Sequence, residues 1–122
     1  MAVEQERSER FDRFVDEVRQ FRDERDWAQF HDPKSLILAL VGEVGELAEL
    51  FQWVPADRAA AEFSDGERKR RAGEEISDVF IYLLGLADAL GIDLLDVAEA
   101  KLVSSRERFP AETLAGVAPE KR

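Results

Sequence analysis

The chain has 122 residues, 36% of them charged, with 27 acids against 17 bases and a formal net charge of −10. A single domain of this length buries about two thirds of the surface its unfolded form exposes, and so large an acidic excess argues against a nucleic-acid polymer held on a basic surface. There is no cysteine, which excludes disulfides and thiol catalysis; no apolar run reaches membrane-spanning length, and residues 1–7 lack the apolar core of a signal peptide, so a cytoplasmic protein with no membrane partner is expected.

Residues 1–7 are polar and are expected to be flexible. Phe11, Phe14, Val15, Val18 and Phe21 recur at helical spacing and predict a first helix over about residues 9–28. Asp32 and Pro33 read as the N-cap and first residue of a second helix, over 33–52, which ends before Pro55. Residues 54–66 form the one long connection, and their Ala-rich stretch 57–63 suits a short turn of helix. Ser64-Asp65-Gly66-Glu67 has the spacing of a capping box and predicts a third helix from about 65 to 90, stopped by Gly91 as a left-handed cap. Asp93 caps a fourth helix through about Arg108, Pro110 ends it, and residues 111–122 read as a flexible tail. The expected fold is an all-α four-helix bundle over residues 8–110.

Two acidic words stand out on this frame. Glu43-Val44-Gly45-Glu46 and, after 28 residues, Glu75-Ile76-Ser77-Asp78 each place two carboxylates three residues apart on a largely apolar helix. Groups at i and i+3 share one helix face, with Cβ atoms about 5–6 Å apart. At 100° per residue, Leu36, Leu40, Val44, Leu47 and Phe51 fall within an arc of about 80°. Glu43 lies at the margin of this arc with Glu46 beside it, whereas a merely solvated acidic face would lie opposite. Gly42 and Gly45 lower helix stability by about 1 kcal/mol each relative to Ala, and close approach of another backbone is the expected compensation. On the third helix Ile76, Val79, Phe80, Ile81, Leu83, Leu84, Leu86 and Leu90 leave only a narrow strip to Glu75, Asp78, Tyr82, Gly85 and Ala89. A helix apolar almost all round is expected to bury more than one side, one of them against a second copy of the chain. Four carboxylates facing each other without a counter-charge are costly to bury. A hard divalent cation, Mg²⁺, resolves that cost and points to phosphate chemistry. Glu49 and Glu74 flank the words but point further round the helices and read as secondary.

The paired words and their spacer resemble the all-α nucleoside triphosphate pyrophosphohydrolases of the MazG-like superfamily. Residues 40–53, 74–83 and 24–31 are similar to its dCTP pyrophosphatase branch, and the resemblance covers about residues 8–110. It implies Mg²⁺-dependent cleavage between the α and β phosphates of a nucleoside triphosphate, to a monophosphate and pyrophosphate. It also implies a homo-oligomer, a tetramer favoured over a dimer, with sites built partly at subunit contacts. Glu43, Glu46, Glu75 and Asp78 match the metal ligands, which makes these four the catalytic candidates. Trp27 and Trp53 match tryptophans that line the base pocket, and Tyr82 a tyrosine near the nucleotide. Lys101 matches a lysine serving the phosphates, and Arg108 falls in the basic segment after it. Vertebrate members carry His where Val18 stands and Asn where Ser105 stands; both contribute to the nucleotide site there, which makes Ser105 a substrate-binding candidate and leaves the base preference open.

The residues are consistent with that chemistry on their own terms. Glu46 is the candidate to orient or deprotonate the attacking water, although any of the four carboxylates has the right chemistry. Tryptophan faces suit nucleobases, but aromatics near helix ends commonly pack in cores. Tyr82 shares the acidic strip, where its hydroxyl can meet a ligand. His31, the only histidine, sits beside a helix cap, where histidine is commonly a structural hydrogen bonder; it is carried as a substrate-binding candidate. Lys101, Arg106 and Arg108 form a candidate phosphate clamp. The run Arg68-Lys69-Arg70-Arg71 is expected to be exposed and receives no role. The expected substrate is dCTP or a modified cytosine nucleotide, with a related pyrophosphohydrolase acting on another nucleotide, such as phosphoribosyl-ATP, as the near alternative. A di-iron bundle is disfavoured because neither acidic word contains histidine. A non-catalytic helical interaction module is the remaining alternative.

Overall fold

The computed structural model describes residues 2–120. Six α-helices run in the order α1 (Ala2–Glu24), α2 (Pro33–Phe51), α3 (Ala56–Glu62), α4 (Gly66–Ala89), α5 (Leu94–Arg108) and α6 (Ala111–Leu114), with a 3₁₀ turn at Ala28–Phe30 and no strand among the described residues. None of these helices is long and apolar enough to cross a membrane. The chain divides into two compact units between Leu90 and Gly91.

Local chemistry explains most helix ends. Asp32 caps α2, accepting the Ser35 N–H at 2.9 Å and the Ser35 hydroxyl at 2.7 Å, with Pro33 in the first turn, as its sequence predicts. Gly91 takes the left-handed conformation expected of it after α4, with φ +67°. Two ends differ from expectation. α1 stops at Glu24, four residues early, because Asp26 turns left-handed (φ +53°). The Trp27 N–H then reaches the Arg22 carbonyl at 3.0 Å and the Asp26 N–H the Asp23 carbonyl at 3.1 Å, the two bonds of a Schellman cap. At the other end α1 extends to Ala2, well before the expected start near residue 9. The capping box before α4 does not form. Ser64 instead donates its hydroxyl to the Ala61 carbonyl at 2.7 Å, since the end of α3 leaves carbonyls open, and Asp65 makes no side-chain cap bond.

In the first unit α2 and α4 are the main packed pair and α1 lies on α4. Leu36, 2% exposed, lies across from Gly85, while Glu43 meets Glu75 and Asp78; rising numbers on α2 meet falling numbers on α4, so the pair is antiparallel. α1 runs parallel to α4: Phe14 stacks on Phe80 with ring centroids 5.9 Å apart, and further along Arg19 Nε and Arg22 Nη1 donate to the Asp88 carboxylate at 2.6 and 2.9 Å. Phe51 closes the far end of α2 by stacking on Phe63 just after α3, at 4.0 Å.

The buried core consists of Leu36, Ala72, Leu84 and Ala87. Large side chains on the outer faces stay uncovered, including Leu38 (61%), Val41 (62%) and Ile76 (54%). Gly42 and Gly45 likewise have open space where a Cβ would stand, so the close backbone approach expected of them does not occur within one chain.

In the second unit Asp93 caps α5, accepting the Asp96 N–H at 3.2 Å. Residues 111–114, read from sequence as tail, form one helical turn, with the Pro110 carbonyl accepting the Leu114 N–H at 3.0 Å.

Candidate metal centre and its two cavities

Antiparallel pairing of α2 with α4 sets the two acidic words opposite each other. Glu43 from α2 and Glu75 and Asp78 from α4 each offer a carboxylate oxygen within 4.8 Å of the others. Glu43 and Glu75 are half-buried, and each has one oxygen, Oε2, shut away from water without a hydrogen-bond partner. Glu46, exposed at the edge, stands outside this triad but acts on it. Removal from water, then the charges of Glu46 and Asp78, raises the Glu43 carboxyl above the ordinary carboxylate range. The same three causes raise Glu75, with the Arg71 guanidinium pulling the other way. Oxygen-only donors, converging from two helices with orphaned buried atoms among them, fit a hard divalent cation.

The centre lies between two cavities of opposite character. On one side is an apolar cavity of about 260 Å³ that begins at Asp78 and runs past Tyr82 and Gly85 to Asp88, walled by Val15, Val18 and Phe21 of α1 together with Trp27 and Leu36. On the other is an open, polar hollow of about 570 Å³ shared by Glu46, Glu49, Glu75, Arg68 and Arg71.

The remaining predicted residues fall into three groups. Trp27, Tyr82 and His31 line the apolar cavity; Trp27 sits edge-on to Phe21 at 5.8 Å and its ring lies 6.4 Å from that of His31. Trp53 lines neither cavity and is 87% exposed. Lys101, Ser105 and Arg108 lie on α5 in the second unit, where Lys101 and Arg108 are exposed and the Ser105 carbonyl accepts the Phe109 N–H at 2.8 Å. Sequence reasoning missed the cavity's α1 wall. Val15 and Phe21 read only as part of an apolar helix stripe, Val18 was marked only by resemblance, as the position of a nucleotide-site His in vertebrate members, and no local pattern tied Arg19 or Arg22 to Asp88, which is more than sixty positions away.

Comparison with known proteins finds relatives of this chain. The model of the MazG-like family matches residues 39–118. The dCTP pyrophosphatase 1 of Bos taurus is 44% identical over 99 residues, 81% of this chain and 59% of that protein. The dCTP pyrophosphatase 1 of Homo sapiens is 47% identical over 92 residues, 75% of this chain and 54% of that protein. The chain thus spans somewhat more than half the length of the curated relatives it matches. Among solved structures, a pyrophosphatase from Archaeoglobus fulgidus superposes with a TM-score of 0.76 at 35% identity, covering 83% of this chain and 93% of that one.

Proposed function

The chain belongs to the MazG-like family, and from that premise we propose that it is a Mg²⁺-dependent nucleoside triphosphate pyrophosphohydrolase acting on dCTP or a modified cytosine nucleotide. The observation that carries this reading is the meeting of Glu43, Glu75 and Asp78 from two helices, with unpartnered buried oxygens, at the mouth of an apolar cavity. The names of its relatives support the substrate class.

Glu43, Glu75 and Asp78, with Glu46 beside them, would hold the metal. Bound there, Mg²⁺ would polarise phosphate oxygens and acidify a bound water. The other roles belong to the chain itself. The apolar cavity takes the base and excludes water from it, Trp27 offers a stacking face, and the Tyr82 hydroxyl and His31 ring are the polar groups at its wall. Glu46, outside the triad but close enough for its charge to act on Glu43 and Glu75, is the carboxylate assigned to take the proton of the attacking water. The water oxygen joins the α-phosphorus, the bond from that phosphorus to the α–β bridging oxygen breaks, and pyrophosphate leaves with the electron pair. Lys101, Ser105 and Arg108 are assigned to the substrate by family resemblance, as groups suited to phosphate oxygens.

The reading includes self-assembly, with a tetramer favoured. Leu38, Val41, Ile76 and their exposed neighbours form apolar faces of the kind that a second copy covers, and Gly42 and Gly45 leave room for its backbone. The deciding experiment incubates the purified protein with a panel of nucleoside triphosphates and Mg²⁺. The expected products are monophosphate and pyrophosphate, fastest from cytosine deoxynucleotides; release of neither from any of them would reject the proposal.

A further inference from the structure

The basic run at the start of α4 acquires a role once its register is read against the metal centre. Arg68, Arg71, Glu75, Asp78, Tyr82 and Gly85 are spaced alternately three and four residues apart, so they form one strip along one face of the helix. The chemistry of the strip changes in order: two guanidinium groups, two carboxylates, then a phenol and a glycine. The cavities repeat that order. The polar hollow holds Arg68 and Arg71 against Glu46 and Glu75, and the apolar cavity begins at Asp78 and holds Tyr82.

A substrate whose reacting phosphorus sits at the carboxylates has two unlike ends, one flat and apolar, the other densely anionic. Of the two cavities, the polar hollow is the one with a cation next to the carboxylates that is not already paired, since Arg19 and Arg22 of the apolar cavity are bonded to Asp88 at its other end. Arg71 is exposed there and, among the described residues, makes no salt bridge or side-chain hydrogen bond, so its guanidinium donors are free. Its arginine neighbours on the run are engaged: Arg70 pairs with Glu67 and Glu74, and Arg68 with Glu62. Arg71 and Tyr82 are about 16 Å apart along the helix axis, enough for an extended nucleotide to reach both.

We propose that Arg71, with Arg68 beside it, forms the subsite for the departing pyrophosphate, so that the nucleotide lies along α4 with its β and γ phosphates toward the start of the helix and its base toward the end. This rests on the pyrophosphohydrolase reading. Arginine suits the task, since its planar fork bonds two phosphate oxygens at once, and charge accumulates on this group as the α–β bond breaks. In a chain of net charge −10 a local cation also offsets the repulsion of an incoming polyanion.

The test is calorimetric binding of inorganic pyrophosphate in the presence of Mg²⁺, alongside binding of a nucleoside monophosphate and steady-state kinetics. Arg71→Ala is expected to weaken pyrophosphate binding about tenfold or more and to raise KM for the triphosphate, with Arg71→Lys in between and monophosphate binding unchanged. Lys69→Ala, which removes a charge from the same run on the opposite helix face, is expected to match the wild type. Turnover by the wild type combined with pyrophosphate affinity indifferent to Arg71→Ala would overturn the subsite and leave the enzyme reading standing. Pyrophosphate binding that depends on Arg71 in a protein hydrolysing no triphosphate would do the reverse.

Discussion

Glu43 is held at a disadvantage that a bound cation would relieve. Loss of water, then the charges of Glu46 and Asp78, keeps its carboxyl above the ordinary carboxylate range. Its ionisation therefore opposes folding: the penalty is absent below the ordinary carboxylate pKa, grows as pH rises from there to the raised value, and is complete above it. Glu43→Gln should accordingly raise the melting temperature at pH 7 in metal-free buffer by a few degrees while lowering activity by about 100-fold or more. The wild type should gain about 2.7 kcal/mol of stability when Mg²⁺ is at a hundredfold excess over its Kd, and the variant should lose most of that gain. Thermal melts with and without Mg²⁺ check both. Asp88 has the opposite sign. Burial works to raise its pKa, but hydrogen bonds from Arg22 and Arg19 outweigh it, and the carboxyl ends below its ordinary value. The stability it supplies is present above the unfolded pKa of about 4 and is lost as pH falls through the lowered folded value. Asp88→Asn should therefore be less stable than the wild type by about 2 kcal/mol at pH 7, and the gap should close in urea titrations run below pH 4. The candidate metal ligands were legible because each pair is local, three residues apart; Asp88 and its arginines meet only through tertiary packing.

At the scale of the element, the end of α1 shows how one backbone conformation overrides a side-chain pattern. Apolar spacing carries the predicted helix to Ala28, yet Asp26 goes left-handed and completes a Schellman cap four residues sooner. Glycine is the residue that usually signals this cap, and its absence hid the boundary. A side chain with a Cβ is strained in that conformation by about 1–2 kcal/mol, so Asp26→Gly should stabilise the protein by about 1 kcal/mol in equilibrium denaturation. The early stop has a consequence for the site, because it frees Trp27 from the helix to line the apolar cavity beside His31. α4 was legible nearly to the residue, since Gly91 ends it by the one mechanism that sequence displays openly. Its N-terminus was placed correctly for a reason that fails: Ser64 serves the end of α3 instead of the start of α4.

The whole molecule carries more uncovered apolar surface than a lone chain of this kind needs. Val41 and Leu38 project from α2, and Ile76 from α4, with no cover among the described residues. A negative charge placed there should leave the single chain folded and disrupt assembly. Val41→Glu is expected to shift the protein to a smaller species in size-exclusion chromatography with light scattering, with retained helical circular dichroism and reduced turnover. A wild type already monomeric at high micromolar concentration would contradict the assembly proposal.

The amino-acid order by itself determined the helical class, the starts of α2 and α5, the glycine stop after α4, and which carboxylates are candidates for a metal. All of these follow from interactions within about four residues, where helix periodicity and capping act. Tertiary structure alone decided that the two acidic words share one point in space, that Arg19 and Arg22 clasp Asp88, and that an apolar and a polar cavity flank the centre. Those features need helices separated by dozens of residues to pack in one particular register, and no local pattern specifies that register.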